Sequence, residues 1–387
     1  MSSSFGNSIL VAFFSCLICC ACSNDNTAAD EPETVAPLEV ATLVDDISDF
    51  VSDVSIVKLS GDLADMIFSP SKILVGEEFY VVLSGNVPFA VDKTGRVLGQ
   101  YGRFGRGPGE YLMVRDICFS TSGNQLWCLS ADNSVLRYDL ESMSYIDKTE
   151  VDLRSQSASA ILPMGEKQFA LFVPNPESSR VSDFSEPFYC LKSYDFSGAV
   201  QKEDMLRTDF NISAAFSVPS AHSGGNVYTL SPGSLDMPIL VLDGRKCSNL
   251  FIDFQDKALP SGYAFKGVDD PWQKISDIFI ADYYKLVGSV LKFDGGMYFC
   301  AFGQRSSLWN FVIFEGSGIF WRSVSMNSKP LNALSSDGQS LLYICGDLLE
   351  EGPESYTDPL KRIVIDRCKD QIDSDSQYLI SVKFHEN

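Results

Sequence analysis

One phrase recurs six times along the chain and leaves few folds open to it: a glycine turn followed at once by an apolar, often aromatic strand. The copies begin at Gly76, Gly123, Gly165, Gly225, Gly296 and Gly338, and read, for example, Gly76-Glu77-Glu78-Phe79-Tyr80-Val81-Val82 and Gly123-Asn124-Gln125-Leu126-Trp127-Cys128-Leu129. Successive glycines lie 47, 42, 60, 71 and 42 residues apart. A period of roughly 40 to 50 residues with insertions is the period of propeller blades. Five copies are followed by a second apolar strand that ends in an acidic residue, at Asp92, Asp139, Asp195, Asp243 and Glu315, 16, 16, 30, 18 and 19 residues after the glycine. Each repeat is therefore a β-meander, and the 30-residue offset coincides with Pro174, Pro176 and Pro187, the mark of a long loop.

The expected fold is an all-β, six-bladed β-propeller with short helical insertions. Six four-stranded blades form one closed unit of about the length of this 387-residue chain, so length alone does not divide it into domains. Val54-Ser55-Ile56-Val57-Lys58-Leu59 precedes the first repeat, and the sixth repeat lacks the strand with the acidic end. The N-terminal strand is thus expected to complete the last blade beside Tyr378–Phe384, closing the ring and removing its open edges. A single helical turn is expected between Leu43 and Val54. Two Asp-Pro openings, at Asp270-Pro271 and Asp358-Pro359, each precede apolar residues at helical spacing (Trp272, Ile275, Ile278 and Phe279; Leu360, Ile363, Val364 and Cys368) and predict short helices.

Residues 1–21 read as a lipoprotein signal peptide. The stretch Ile9–Ile18 is apolar but too short for a comfortable bilayer span, and small residues follow it. Leu17-Ile18-Cys19-Cys20-Ala21-Cys22-Ser23 resembles a bacterial lipobox with Cys22 as the acylated residue, although the first eight residues lack Lys and Arg. Cys20 is the alternative acceptor. Residues 22–42 are polar and acidic at the start and predict a disordered tether, leaving 43–387 for the propeller. The formal net charge of −21 falls entirely beyond residue 21, which argues against nucleic acid as a partner, because phosphate neutralisation by Lys and Arg dominates that binding. The seven cysteines beyond Cys22 show no CxxC spacing and are expected as free core residues, with a Cys118–Cys128 bridge as the alternative.

Between the first two repeats runs Gly102-Arg103-Phe104-Gly105-Arg106-Gly107-Pro108-Gly109-Glu110-Tyr111. Its glycines fit neither a dinucleotide fingerprint nor a P-loop. They suit a compact loop in which Glu110 accepts from loop amides or pairs with Arg103, Arg106 or Arg115. Two roles are open to Arg103, Arg106, Gly107, Pro108, Gly109, Glu110 and Tyr111: a clamp between blades, or a ligand contact made by the arginines and Tyr111.

Together with Val54–Leu59 and Val91-Asp92-Lys93-Thr94-Gly95-Arg96-Val97, the motif Gly105–Tyr111 resembles the six-bladed β-propeller lipoproteins abundant in Bacteroidota, relatives of the NHL-repeat propellers. The resemblance is specific over about residues 43–140. It implies a lipid-anchored protein of the outer membrane, on its periplasmic or cell-surface side, and lends no catalytic residues.

The leading functional expectation is a non-catalytic binding or scaffold module, anchored in the membrane through lipid, that takes a peptide, a glycan or a partner envelope protein. No cofactor is implied. The rival is a metal-dependent propeller hydrolase or lactonase, with Ca²⁺ held on the axis by oxygen ligands. Its candidate ligands, Asp116, Asn226, Asn310 and Asp337, share no position in their repeats. Of the two histidines, His385 is near the end and His222, beside Ser223 and Gly224, reads as a turn residue, so acid–base or zinc chemistry is poorly supplied.

Overall fold

The computed structural model describes residues 32–386, except 154–155, 175–187, 208–219, 233–234, 236, 245, 261–262, 264–269, 304–306, 324–331, 347 and 349–357. The signal peptide and Cys22 lie outside the described residues, as does most of the long loop of the third repeat.

The strands form six radial sheets of four antiparallel strands each, and the blades follow the chain in order. Blade 1 holds Pro70–Val75, Phe79–Ser84, Val87–Asp92 and Val97–Gln100; blade 2 holds Val114–Phe119, Gln125–Ser130, Ser134–Asp139 and Tyr145–Glu150. Blade 3 holds Ala160–Gly165, Gln168–Pro174, Phe188–Asp195 and Val200–Arg207, and blade 4 holds Ser220–His222, Val227–Leu230, Ile239–Asp243 and Lys246–Ile252. Blade 5 is Leu286–Phe293, Gly296–Phe302, Leu308–Phe314 and Gly318–Ser323. Blade 6 takes Ser335–Ser336, Leu341–Cys345 and Tyr378–Phe384 from the end of the chain and Val51–Lys58 from its beginning. Ile56 stands opposite Ile380 in that closing pair.

All six strands that follow the recurring glycines are the second strands of their blades. The acidic residue after the third strand has a local task. Asp92 Oδ1 accepts from the amide of Thr94, its hydroxyl and the amide of Arg96, and Asp195 Oδ1 does the same for Ser197 and Ala199. These side chains build the turn into the outer strand, and the hydrogen bonds hold both carboxyls below the usual carboxylate range.

Blades pack face to face through apolar side chains. Trp127 of blade 2 is fully buried and meets Phe196, which follows the third strand of blade 3, edge-on at 4.9 Å between centroids. Each such buried aromatic contributes on the order of 1.5–3 kcal/mol.

Two expectations change. Within the segment assigned to a disordered tether, Glu33–Val35 pairs in parallel with Leu250–Ile252 of blade 4, and Ala41–Leu43 pairs in parallel with Gly318–Phe320 of blade 5. A helical turn, Pro37–Val40, joins them. The N-terminal segment is therefore a strap along the rims of blades 4, 5 and 6, with Val35, Leu38 and Val40 packed on the core of blades 4 and 5. Its acidic composition hid this, because pairing with an open sheet edge uses backbone groups and asks few apolar side chains of the strand. A bridge between Cys118 and Cys128 is also excluded. Cys128 stands opposite Ile117 and Cys118 opposite Trp127, so the two thiols leave the sheet on opposite faces, and both are free and buried.

Both Asp-Pro openings start helices. Pro271–Ile280 follows Asp270, whose carboxylate accepts from the amide of Gln273, and Pro359–Cys368 is capped by Asp358 through the amides of Leu360 and Lys361. The lead-in turn is a short 3-10 helix, Ser48–Phe50.

Candidate functional site

The glycine-rich segment closes on itself. Arg103–Phe104 pairs in parallel with Glu110–Tyr111, and Glu110 is the hub: Oε1 accepts from Arg103 Nε at 2.7 Å and Oε2 from the amide of Gly107 at 2.7 Å. The Gly107 amide and then the Arg103 guanidinium hold its carboxyl below the usual range. The loop also bridges blades. Tyr138 of blade 2 donates its hydroxyl to the Gly109 carbonyl at 3.2 Å, and Tyr101, at the end of blade 1, donates to the Leu140 carbonyl at 2.7 Å.

Tyr111 is buried, and its hydroxyl has no hydrogen-bond partner among the described residues. Arg106 and Phe104 project outward, Phe104 with 75% of its surface exposed. The geometry spends Glu110 and Arg103 inside the loop, turns Tyr111 inward, and leaves Arg106 free to reach solvent. A Cβ on Gly105 would overlap Glu110 Oε2 and come within 2.6 Å of its Cδ. Gly105→Ala is accordingly expected to destabilise the protein by about 1–3 kcal/mol in urea unfolding, while Arg106→Ala at its exposed site changes stability by less than about 0.5 kcal/mol.

The residues that meet at the axis are of another kind. Lys72, Asp116 and Ser220 come from the innermost strands of blades 1, 2 and 4 and are each no more than 4% exposed. Lys72 Nζ donates to Asp116 Oδ1 at 2.8 Å and also to Ser220 Oγ. Ser220 donates to Asp116 Oδ2 at 2.6 Å, and the amide of Ile161, on the inner strand of blade 3, donates to the same oxygen at 2.9 Å. One carboxylate thus collects four blades. His222 completes the crossing: its Nδ1 accepts from the amide of Val75 in blade 1 at 3.3 Å, and its Nε2 bonds the Gly225 carbonyl at 3.0 Å. It is the last residue of its strand, immediately before the expected turn. Ser335 of blade 6 donates to the His222 carbonyl at 2.7 Å, and Lys292 of blade 5 donates its amide to Ser223 Oγ at 2.8 Å.

Of the four candidate calcium ligands, only Asp116 reaches this centre. Asn226 bonds the Thr121 carbonyl, Asn310 is buried between Tyr298 and Ser323, and Asp337 accepts from the amides of Gln339 and Ser340 in its turn. The structure does not bring the set together, and a divalent cation beside Asp116 would face the Lys72 ammonium in the place where it needs a further oxygen ligand. The axial residues do not fit the group. Among the described residues no three His, Cys, Asp or Glu side chains converge in a metal-binding group. Lys72 and Ser220 escaped the sequence reading; the one available signal was a lysine within Pro70-Ser71-Lys72-Ile73-Leu74-Val75, an otherwise apolar strand.

The model of a family described as a 6-bladed beta-propeller matches residues 27–224, just over half of the chain. A solved structure from Bacteroides fragilis NCTC 9343, the protein BF0058 described as exported, superposes with a TM-score of 0.64 at 15% identity, covering 90% of this chain and 98% of that one. It shares the fold. The structures of U3-55K and of the RRP9 WD40 repeats align at 11% and 10% identity with a TM-score of 0.42 each, covering 86% and 87% of this chain and 98% and 99% of theirs. No curated protein matches the sequence.

Proposed function

The chain belongs to the 6-bladed beta-propeller family whose model it matches, and from that premise we propose that it is an exported, lipid-anchored module that binds or scaffolds without catalysis at the outer membrane or cell surface. The observation that carries the non-catalytic part is the occupied axis: a lysine, a carboxylate and a serine from three blades spend their hydrogen bonds on one another. The same place in a calcium-dependent hydrolase or lactonase must present oxygen ligands to a cation and substrate. A rigid ring whose loops vary is instead suited to recognition, with a peptide, a glycan or a partner envelope protein as ligand.

Export and anchoring rest on the apolar leader, on the lipobox-like run ending at Cys22, and on the exported description of the B. fragilis relative in fold. The strap gives the anchor a point of departure at Glu33, pinned to the rim of blade 4 by its pairing and by an ion pair to Lys292 at 3.0 Å. In a Bacteroidota host fed radiolabelled palmitate, the wild-type chain is expected to carry label and sediment with membranes. Cys22→Ala is expected to lose the label and leave the outer-membrane fraction. Label retained by Cys22→Ala would refute Cys22 as the acceptor.

A further inference from the structure

One face of the ring carries the turns between second and third strands and the connections between blades, because each meander alternates direction. Hydrogen bonds join these segments from blade 1 to blade 3. Gly85 donates its amide to the Ser69 carbonyl, Val114 to Asn86 and Ala131 to Met113, at 3.2, 3.1 and 2.8 Å. The Asn133 side chain then donates to the Gln156 carbonyl and accepts from the Ala158 amide.

Along this line the surface is apolar at one end and acidic at the other. Phe68, which precedes the inner strand of blade 1, is 69% exposed with its ring against Gly85. Met66 and Met113, the latter just before the inner strand of blade 2, are 42% and 46% exposed. A phenylalanine and two methionines exposed beside the mouth of the ring form a surface that adapts to a partner's side chains. Past Ala131, a cavity of about 400 Å³ is lined by Asp132, Glu150, Val151 and Asp152. Lys148 pairs with Asp132 at 3.0 Å, and Arg115 donates to the Ala158 carbonyl, so the cavity's three carboxylates outnumber the two neighbouring cations. Exposed Asp62 and Asp65 add negative charge at the apolar end.

Resting on the binding-module reading, we propose that this face docks an extended segment of a partner protein, with apolar side chains over Phe68 and Met113 and a Lys or Arg side chain in the acidic cavity. Charge complementarity selects this occupant. An anionic glycan or an acidic lipid surface would meet five carboxylates.

The test is panning of a phage-displayed random peptide library on the detergent-solubilised full chain, followed by affinity measurement of the enriched peptides. The expected peptides place Lys or Arg near aromatic or aliphatic residues. Their affinity should fall at least tenfold for Phe68→Ser/Met113→Ser and, separately, for Glu150→Gln/Asp152→Asn, and weaken with added salt. All four positions are at the surface, and an unchanged melting curve verifies that each variant folds. Enriched peptides that lack basic residues, or that bind either variant as well as wild type, would overturn the assignment, as would an empty selection. Those results leave the lipid-labelling experiment on Cys22 untouched. A chain that is acylated yet selects nothing on this face loses the docking surface and keeps its place in the envelope.

Discussion

Asp116→Ala is expected to destabilise the protein by roughly 3–5 kcal/mol, the range for breaking a buried ion pair by removing one partner. The alanine leaves the Lys72 ammonium without its carboxylate at 3% exposure and strips a partner from Ser220 and from the Ile161 amide. Urea unfolding should show a lower midpoint at unchanged m-value, the signature of lost stability without a change in exposed surface. The decisive comparison is the double variant Lys72→Met/Asp116→Leu. It removes both charges and keeps most of the volume, so it should be more stable than Asp116→Ala alone despite carrying two substitutions. What it does not recover is the hydrogen bonding of Ile161 and Ser220, about 1–3 kcal/mol for buried groups left unmade. Effects of Lys72→Met and Asp116→Leu that simply add would show that the pair is not coupled, and the axis would then be held by apolar packing alone.

Much of the architecture was written in short-range patterns. The six glycine turns marked every second strand, and the acidic ends of five third strands marked the turns that those carboxylates build. The missing sixth copy was itself informative: blade 6 takes Tyr378–Phe384 as its third strand only after the helix Pro359–Cys368, and its outer strand arrives from the other end of the chain. Closure was legible because a strand without a partner at one end and a blade without a strand at the other have one economical solution. The two helices were legible from Asp-Pro caps, which act within a few residues.

What escaped depends on contacts distant in sequence or on backbone alone. Lys72 and Ser220 lie 148 residues apart and share Asp116 only because the ring brings the inner strands of blades 1, 2 and 4 to one centre. No local pattern in Ser220-Ala221-His222 announces that partnership. The strap escaped for a different reason. Glu33–Val35 and Ala41–Leu43 add themselves to finished sheets by main-chain pairing, and the side chains of such a strand can be as polar as those of a tether. The loop Arg103–Tyr111 was located correctly in the chain, while the inward turn of Tyr111 and the consumption of Glu110 by Gly107 and Arg103 needed the three-dimensional path.

The axis should also make stability fall with acid through His222. Burial depresses its pKa from 6.5 to about 4; the Gly225 carbonyl works the other way, and the nearby Lys72 ammonium adds to the depression. Phe119 and Tyr228 pack against the ring and offer no compensating charge. A proton on Nδ1 would also displace the Val75 amide that it accepts. Between pH 6.5 and 4 the unfolded chain therefore binds the proton and the folded chain resists it, so this contribution is fully present above pH 6.5 and is lost as pH falls towards 4. The full difference amounts to roughly 3 kcal/mol, of which about 2 should vanish between pH 7 and pH 5. That interval isolates the histidine, since hydrogen-bonded carboxylates such as Asp373, held down to about 2 by Lys58, titrate below it. His222→Leu should cost about 1–3 kcal/mol at neutral pH by leaving the Val75 amide unmatched. In exchange, its urea midpoint should lose most of the wild-type dependence on pH between 7 and 5. A variant whose stability falls over that interval as steeply as wild type would show that the proton is taken up elsewhere.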